Sequence, residues 1–294
     1  MRNRSQYLVW LGPLVVATAL VLTLAATAEE ADKSGASGEV PLSFDGYRIV
    51  ELSPKIVARL QTLDGEILEG VPDPYGYPLT LRQGTAPYDN STHTLLGNPK
   101  DKEYPHTMHL HLGAHTEAGK GHIGQFDDLP DDMLELWEMP IETFFGPAAV
   151  CNFEFLKPVE GTSAKGKPGL VGRPILPEHF SHVREGDIVL MSSPYRGAEQ
   201  PYLPGETARW LAEEKKIKML GIEVPGVSWE TDFKAASPNN SPTHRHMMGN
   251  NIPVTYPLIN ISTLMKERVF YIGLPARFDR MEASWVRAIA LEER

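Results

Sequence analysis

Between His109 and His122 the chain places four of its ten histidines, together with Glu117, within fourteen residues. The run reads His109-Leu110-His111-Leu112-Gly113-Ala114-His115-Thr116-Glu117, then Ala118-Gly119-Lys120-Gly121-His122. Imidazole nitrogens and a carboxylate are the donors that a zinc or manganese ion takes from a protein. In an extended strand side chains alternate, so His109, His111, His115 and Glu117 would share one face, with Gly113 leaving open space at the same parity. A helix would also bring His111 and His115 together as an i, i+4 pair. The glycines at 113, 119 and 121 argue against it. A single histidine is more readily a core or surface residue, but three with a glutamate on one face predict a metal site. Three protein ligands and an open position are the arrangement of a catalytic ion. Such an ion lowers the pKa of bound water to about 7 and polarises a carbonyl, which supplies hydroxide as nucleophile at neutral pH.

The elements around this segment alternate between strand-like and helical patterns, which predicts a mixed α/β fold. Strands are expected at Tyr47–Leu52, Phe145–Leu156, Gly186–Met191, Ile217–Val224, Ile252–Tyr256, Val269–Leu274 and Trp285–Ala290. Glu206–Lys215 reads as a helix with Trp210 and Leu211 on its apolar side, and Glu178–Val183 as another. Asp131–Trp137 suggests a short acidic turn or helix, and Ser241-Pro242 a cap and first-turn proline ahead of His244–Met248. Residues 72–105 and 157–177 are rich in Pro, Gly and polar residues and read as loops; long loops in a compact domain are often functional. Trp210 and Trp285 read as core aromatics, and Glu223 as a solvated carboxylate at a strand end. Cys151 is the only cysteine, so no intramolecular disulfide forms, and its apolar neighbours mark it as a small core residue.

The amino terminus resembles a secretory signal: Arg2 and Arg4, an apolar run from Tyr7 to Ala25, then Ala26-Thr27-Ala28. Residues 1–28 are expected to be that signal, cleaved on export to the periplasm or exterior, with an uncleaved membrane anchor as the alternative. Residues 29–40 are expected to be a disordered linker, and residues 41–294 one domain with a sizeable core. The net charge is −10, and removal of the signal takes two arginines and no acid. That balance argues against nucleic acid or an anionic membrane surface as a partner. A small-molecule substrate fits better.

With these motifs in place, the chain resembles the metal-dependent cyclase family of bacterial kynurenine formamidases and isatin hydrolases, whose signature is H-x-G-T-H-x-D-x-P-x-H. Here it reads His111-Leu112-Gly113-Ala114-His115-Thr116-Glu117. Further matches run in order: Pro140-Ile141-Glu142 to Gly146-Pro147-Ala148, Gly186-Asp187-Ile188-Val189-Leu190, Ala208-Arg209-Trp210-Leu211, Leu220-Gly221-Ile222-Glu223, His244 with Ile252-Pro253, and Val286-Arg287-Ala288-Ile289-Ala290. The resemblance implies a single-domain cyclase-like swivelling β/β/α fold with a mixed β-sheet or barrel core and flanking helices. It implies His111, His115, Glu117 and His122 as metal ligands, His244 as general acid/base, and a homo-oligomer; His109 matches nothing in the motif and reads as an outer residue.

The departures from the pattern are specific. Glu117 replaces an aspartate, Ala114 a threonine and Gly119 a proline, and His122 lies one residue further from His115 than the signature has it. Tyr256 stands where the zinc formamidases carry a glutamate associated with a second ion. One divalent ion, zinc or manganese, is therefore expected, with a second left open. The leading functional reading is an exported metal-dependent amidohydrolase, arylformamidase-like, cutting the C–N bond of an N-formyl aryl amine, a lactam or a cyclic imide. A non-catalytic extracytoplasmic metal- or ligand-binding protein on the same scaffold is the alternative, and ester or lactone hydrolysis is a third reading, because activated hydroxide does not by itself choose the leaving group. The substrate-binding residues are unknown at this level.

Overall fold

The computed structural model describes residues 44–61, 67–69, 77–80, 95–96, 108–111, 113–119, 130–231, 241–278 and 283–294. The expected signal and linker, His122 and most of the 72–105 region lie outside these residues. Asp45–Arg294 makes up one compact unit, a mixed α/β fold built on a nine-stranded sheet. Its strands are β1 (Tyr47–Glu51), β2 (His115–Glu117), β3 (Phe145–Asn152), β4 (Ile188–Ser192), β5 (Met219–Glu223), β6 (Val254–Leu258), β7 (Arg268–Ile272), β8 (Ala283–Trp285) and β9 (Ile289–Glu293). They lie in the order β1-β9-β7-β3-β4-β5-β6-β2-β8. The four central strands β3, β4, β5 and β6 are parallel. The outer pairings are antiparallel.

The parallel centre is buried on both faces, as parallel sheets are. Ile188-Val189-Leu190-Met191 is apolar without alternation because each face has its own core. Ala148, Val150, Ile188 and Leu190 enter one apolar cluster with Val269, Tyr271 and Ala290. Ala149, Cys151, Val189 and Met191 enter the other, against Phe153, Phe180, Ala208 and Leu211. The second cluster is roofed by α1 (Gly205–Glu213), which places Ala208, Leu211 and Ala212 inward. Glu206 sits in its first turn, where a carboxylate complements the helix dipole. Cys151 is a buried free thiol in this core, and burial pushes its pKa up, away from reactive thiolate chemistry.

Chain connectivity forces the sheet to curl. β8 is last in the strand order and β9 second, seven intervals apart. At about 4.8 Å per interval a flat sheet would separate them by roughly 34 Å. The four residue steps from Trp285 to Ile289 reach at most about 14 Å. The two ends must therefore approach each other. Hydrogen bonds along this short crossing show it: Val286 N–H donates to Ala114 O (3.0 Å), Leu52 N–H to Ala288 O (2.8 Å) and Ala288 N–H to Ser53 Oγ (2.8 Å). This is why Trp285–Ala290, expected as one strand, is two. The mixed core with flanking helices is as the sequence predicted.

Other elements differ in detail. The expected 157–177 loop contains a hairpin, Val159–Thr162 paired with Pro168–Val171. It closes through Gly166, whose φ of +74° suits a glycine at the turn. Pro177–Phe180 forms a 3-10 turn instead of a longer helix. The described parts of the 72–105 region include strands Tyr77–Thr80 and Leu95–Leu96. Trp210 and Trp285 are half-buried.

Candidate metal centre

The histidine segment is not one continuous strand. Met108–His109 pairs with Leu95–Leu96, the chain turns at Leu110-His111, and only His115–Glu117 enters the main sheet as β2. Gly113, at φ +66°, takes the left-handed backbone that ends the alternation. The single-face reading therefore holds for His115 and Glu117 and fails as the reason for His111, which reaches the same point from a turn. His111 Nδ1 lies 2.8 Å and His115 Nε2 3.3 Å from Glu117 Oε1. One ligand atom from each of the three falls within 4.8 Å of the others. His109's side chain and His122 lie outside the described residues.

The sheet fixes this cluster. β2 runs between β6 and β8, which sets Tyr256 and Trp285 opposite His115 in register. His115 and Glu117 are each 2% exposed. Thr116, on the opposite face, is pinned through its hydroxyl to Thr255 Oγ1 at 2.8 Å. His115 Nδ1 is hydrogen-bonded to Gly113 O at 2.9 Å, so Nε2 is the nitrogen turned to Glu117. A metal-binding imidazole commonly gives its other nitrogen to a carbonyl in this way. The donor chemistry, burial and convergence of the three side chains thus fit a divalent ion.

His244 comes from α2 (Pro242–Gly249). Pro242 at the start and Ser241 before it are as the sequence predicted. The Ser241 side chain makes no capping bond. Its hydroxyl instead meets His244 Nδ1 at 2.5 Å. That leaves Nε2 facing the cluster, 3.6 Å from Glu117 Oε2. α2 can approach β2 because residue 119 is glycine: a Cβ there would stand 2.7 Å from the Met248 carbonyl oxygen. His246 is half-buried on the same helix, and burial lowers its pKa.

Two residues complete the site, and the sequence pattern identified neither role. Tyr256 donates its phenol to Glu117 Oε1 at 2.6 Å and sets its ring 4.6 Å from that of His115. Trp229, on a two-residue strand paired with Tyr202–Leu203, stands 4.9 Å from the His244 ring and 5.1 Å from that of Tyr256. Tyr256 was legible only as a departure from a family position. Trp229 carried no signal, since its neighbours are distant in the chain. Glu223 is a correction: it is 6% exposed, and it accepts from Ser262 N–H (2.8 Å) and Ser262 Oγ (3.0 Å). Burial raises its pKa, and it braces the turn after β6 instead of meeting solvent.

Fold and site together define an α/β protein that gathers two imidazoles and a carboxylate at the end of a curled mixed sheet. The chain belongs to the cyclase family: the family model described as putative cyclase matches residues 52–228. No curated protein matches the sequence significantly. Among solved structures, isatin hydrolase A from Labrenzia aggregata, bound to benzyl benzoate, is 18% identical; the match covers 94% of this chain and all of that one at a TM-score of 0.53. Isatin hydrolase A from Ralstonia solanacearum is also 18% identical, over 97% of this chain and all of that one, at a TM-score of 0.50. These likenesses establish a shared fold.

Proposed function

We propose that the protein is an exported, metal-dependent hydrolase that cleaves the carbon–nitrogen bond of a small amide, such as an N-formyl aryl amine, a lactam or a cyclic imide. The observation that carries this reading is the convergence of His111, His115 and Glu117 within 4.8 Å, with His244 Nε2 on the other side of the same carboxylate. Zinc or manganese held by these three would supply Lewis acidity for the carbonyl and an acidified water.

The chain's own groups account for the proton. Water adds its oxygen to the carbonyl carbon and loses a proton, and the C–N bond breaks as that nitrogen takes one up. His244 stands where its Nε2 can carry the proton to the departing nitrogen, with Ser241 fixing the ring through Nδ1. Trp229 and Tyr256 set their rings roughly perpendicular to that of His244 and help to hold the imidazole in place. Export rests on the signal-like amino terminus, and a homo-oligomer on the family resemblance.

The test uses full-length protein stripped of metal and reloaded with zinc or manganese, assayed against the three amide classes with aryl esters and lactones alongside. Metal-dependent amide turnover is expected, and His244→Ala should lower kcat by about 10²- to 10⁴-fold with the ion retained. Tight metal binding without turnover of any substrate would favour a binding protein on this scaffold. Full activity in His244→Ala would refute the proton route.

A further inference from the structure

We infer that Tyr256 is the positioning residue for the metal-binding carboxylate. This rests on the reading that His111, His115 and Glu117 hold an ion. A glutamate carries one more rotatable bond than an aspartate, so its oxygens sweep a wider arc unless something holds them. Three features of the structure confine Glu117. Its backbone is fixed in register between β6 and β8, opposite Val254 and Ala283. Its Oε2 is turned toward His244 Nε2. Its Oε1, the oxygen nearest both His111 and His115, takes the Tyr256 hydroxyl at 2.6 Å, the length of a charge-assisted O–H···O⁻ bond.

The phenol is itself held. Its ring packs edge-on against His115 and tilted against Trp229, and its backbone lies directly opposite His115. Hydroxyl and carboxylate are thus placed by two neighbouring strands, which leaves little freedom to separate. His111, His115 and Tyr256 all meet Oε1, so an ion taken up between the imidazoles would replace their contacts to this oxygen while the phenol keeps its own. Tyr256 therefore selects the rotamer in which Glu117 completes the histidine pair, and acts on the ion through the carboxylate.

The test is cobalt(II) binding to the metal-free full-length chain, read by calorimetry and by the visible d–d spectrum, for the wild type, Tyr256→Phe, Glu117→Asp and the double variant. Phenylalanine keeps the ring and its packing. The expected result is about 10- to 100-fold weaker binding in Tyr256→Phe, with an altered spectrum. In the Glu117→Asp background the same change should do little, because the shorter carboxylate no longer reaches the hydroxyl. Equal affinity and spectrum in Tyr256→Phe, or the same loss in both backgrounds, overturns the inference and leaves the metal site standing. A phenolate charge-transfer band in the copper(II) form would make Tyr256 a ligand and overturn it too. A wild type that binds no ion overturns the metal site and the inference together.

Discussion

Asp187 and Glu292 on one side and Glu117 on the other are buried carboxylates that this fold neutralises differently. Asp187, 3% exposed, meets Arg268 through both oxygens at 2.9 and 2.5 Å and accepts the Arg184 amide at 2.8 Å. Glu292, 1% exposed, takes the Met265 and Lys266 amides at 2.5 and 2.9 Å and Arg48 Nε at 2.7 Å. Arginine is always charged and binds a carboxylate as a planar fork, so these acids are satisfied within the fold. Glu117, 2% exposed, instead faces two imidazoles, a phenol and a third imidazole beyond. Imidazoles are neutral over much of the ordinary pH range and are themselves metal ligands. The difference separates acids that hold strands together from an acid arranged for a cation that arrives from outside.

The comparison breaks most sharply at His115. His115→Ala removes the buried imidazole at the centre of the cluster and should abolish stoichiometric zinc or manganese, measured by elemental analysis of the purified chain, and with it all turnover. The sheet should survive, because β2 keeps its backbone pairing on both sides. Retention of one tightly held ion by His115→Ala would show that the His111–Glu117 geometry is not the metal site, and the distinction between the two kinds of carboxylate would collapse.

Glu292 gives the opposite pattern, a loss of stability without loss of chemistry. Burial pushes its pKa up, but the Lys266 and Met265 amides and Arg48 outweigh that and hold it below the ordinary glutamate value. A depressed folded pKa means that its stabilisation is present above the unfolded carboxylate range and is lost as pH falls through the folded value. Glu292→Gln should therefore cost about 2 kcal/mol in urea unfolding at pH 7. That cost should shrink toward zero as the buffer is made acidic enough to protonate the wild-type carboxylate, while metal content stays at the wild-type value. A cost that does not change with pH would mean that packing, not charge, is what Glu292 contributes.

The sequence exposed these two regions unequally. His111, His115 and Glu117 stood out because their types are rare and their spacing is chemical, whereas His244 was marked by the family resemblance alone. The central strands stood out because Ile188–Met191 and its neighbours are apolar enough to be buried on both faces. What stayed hidden depends on contacts between residues far apart in the chain. The curl of the sheet follows from the short crossing after Trp285, a constraint that appears only once strand order is known. The reach of His111 depends on one left-handed glycine at 113. Trp229 and the Tyr256 hydroxyl arrive from strands more than a hundred residues away from the motif. Glu223 looked solvated because nothing in the sequence places Ser262 beneath it.

Ser241 is the smallest expected effect and the finest probe of the comparison. Its position before Pro242 fits a helix cap, yet its side chain is turned from the helix amides to His244 Nδ1. A cap lost from a helix changes stability by about 1 kcal/mol, whereas a lost orienting bond changes the rate. Ser241→Ala should therefore lower kcat about tenfold, the worth of one hydrogen bond of roughly 1.4 kcal/mol, with KM and metal content unchanged and thermal stability nearly so. Ser241→Thr, which keeps the hydroxyl, should recover most of the rate. If Ser241→Ala lowers the melting temperature and leaves kcat intact, the residue belongs with Asp187 and Glu292 among the groups that hold the fold, and packing against Trp229 and Tyr256 suffices to orient His244.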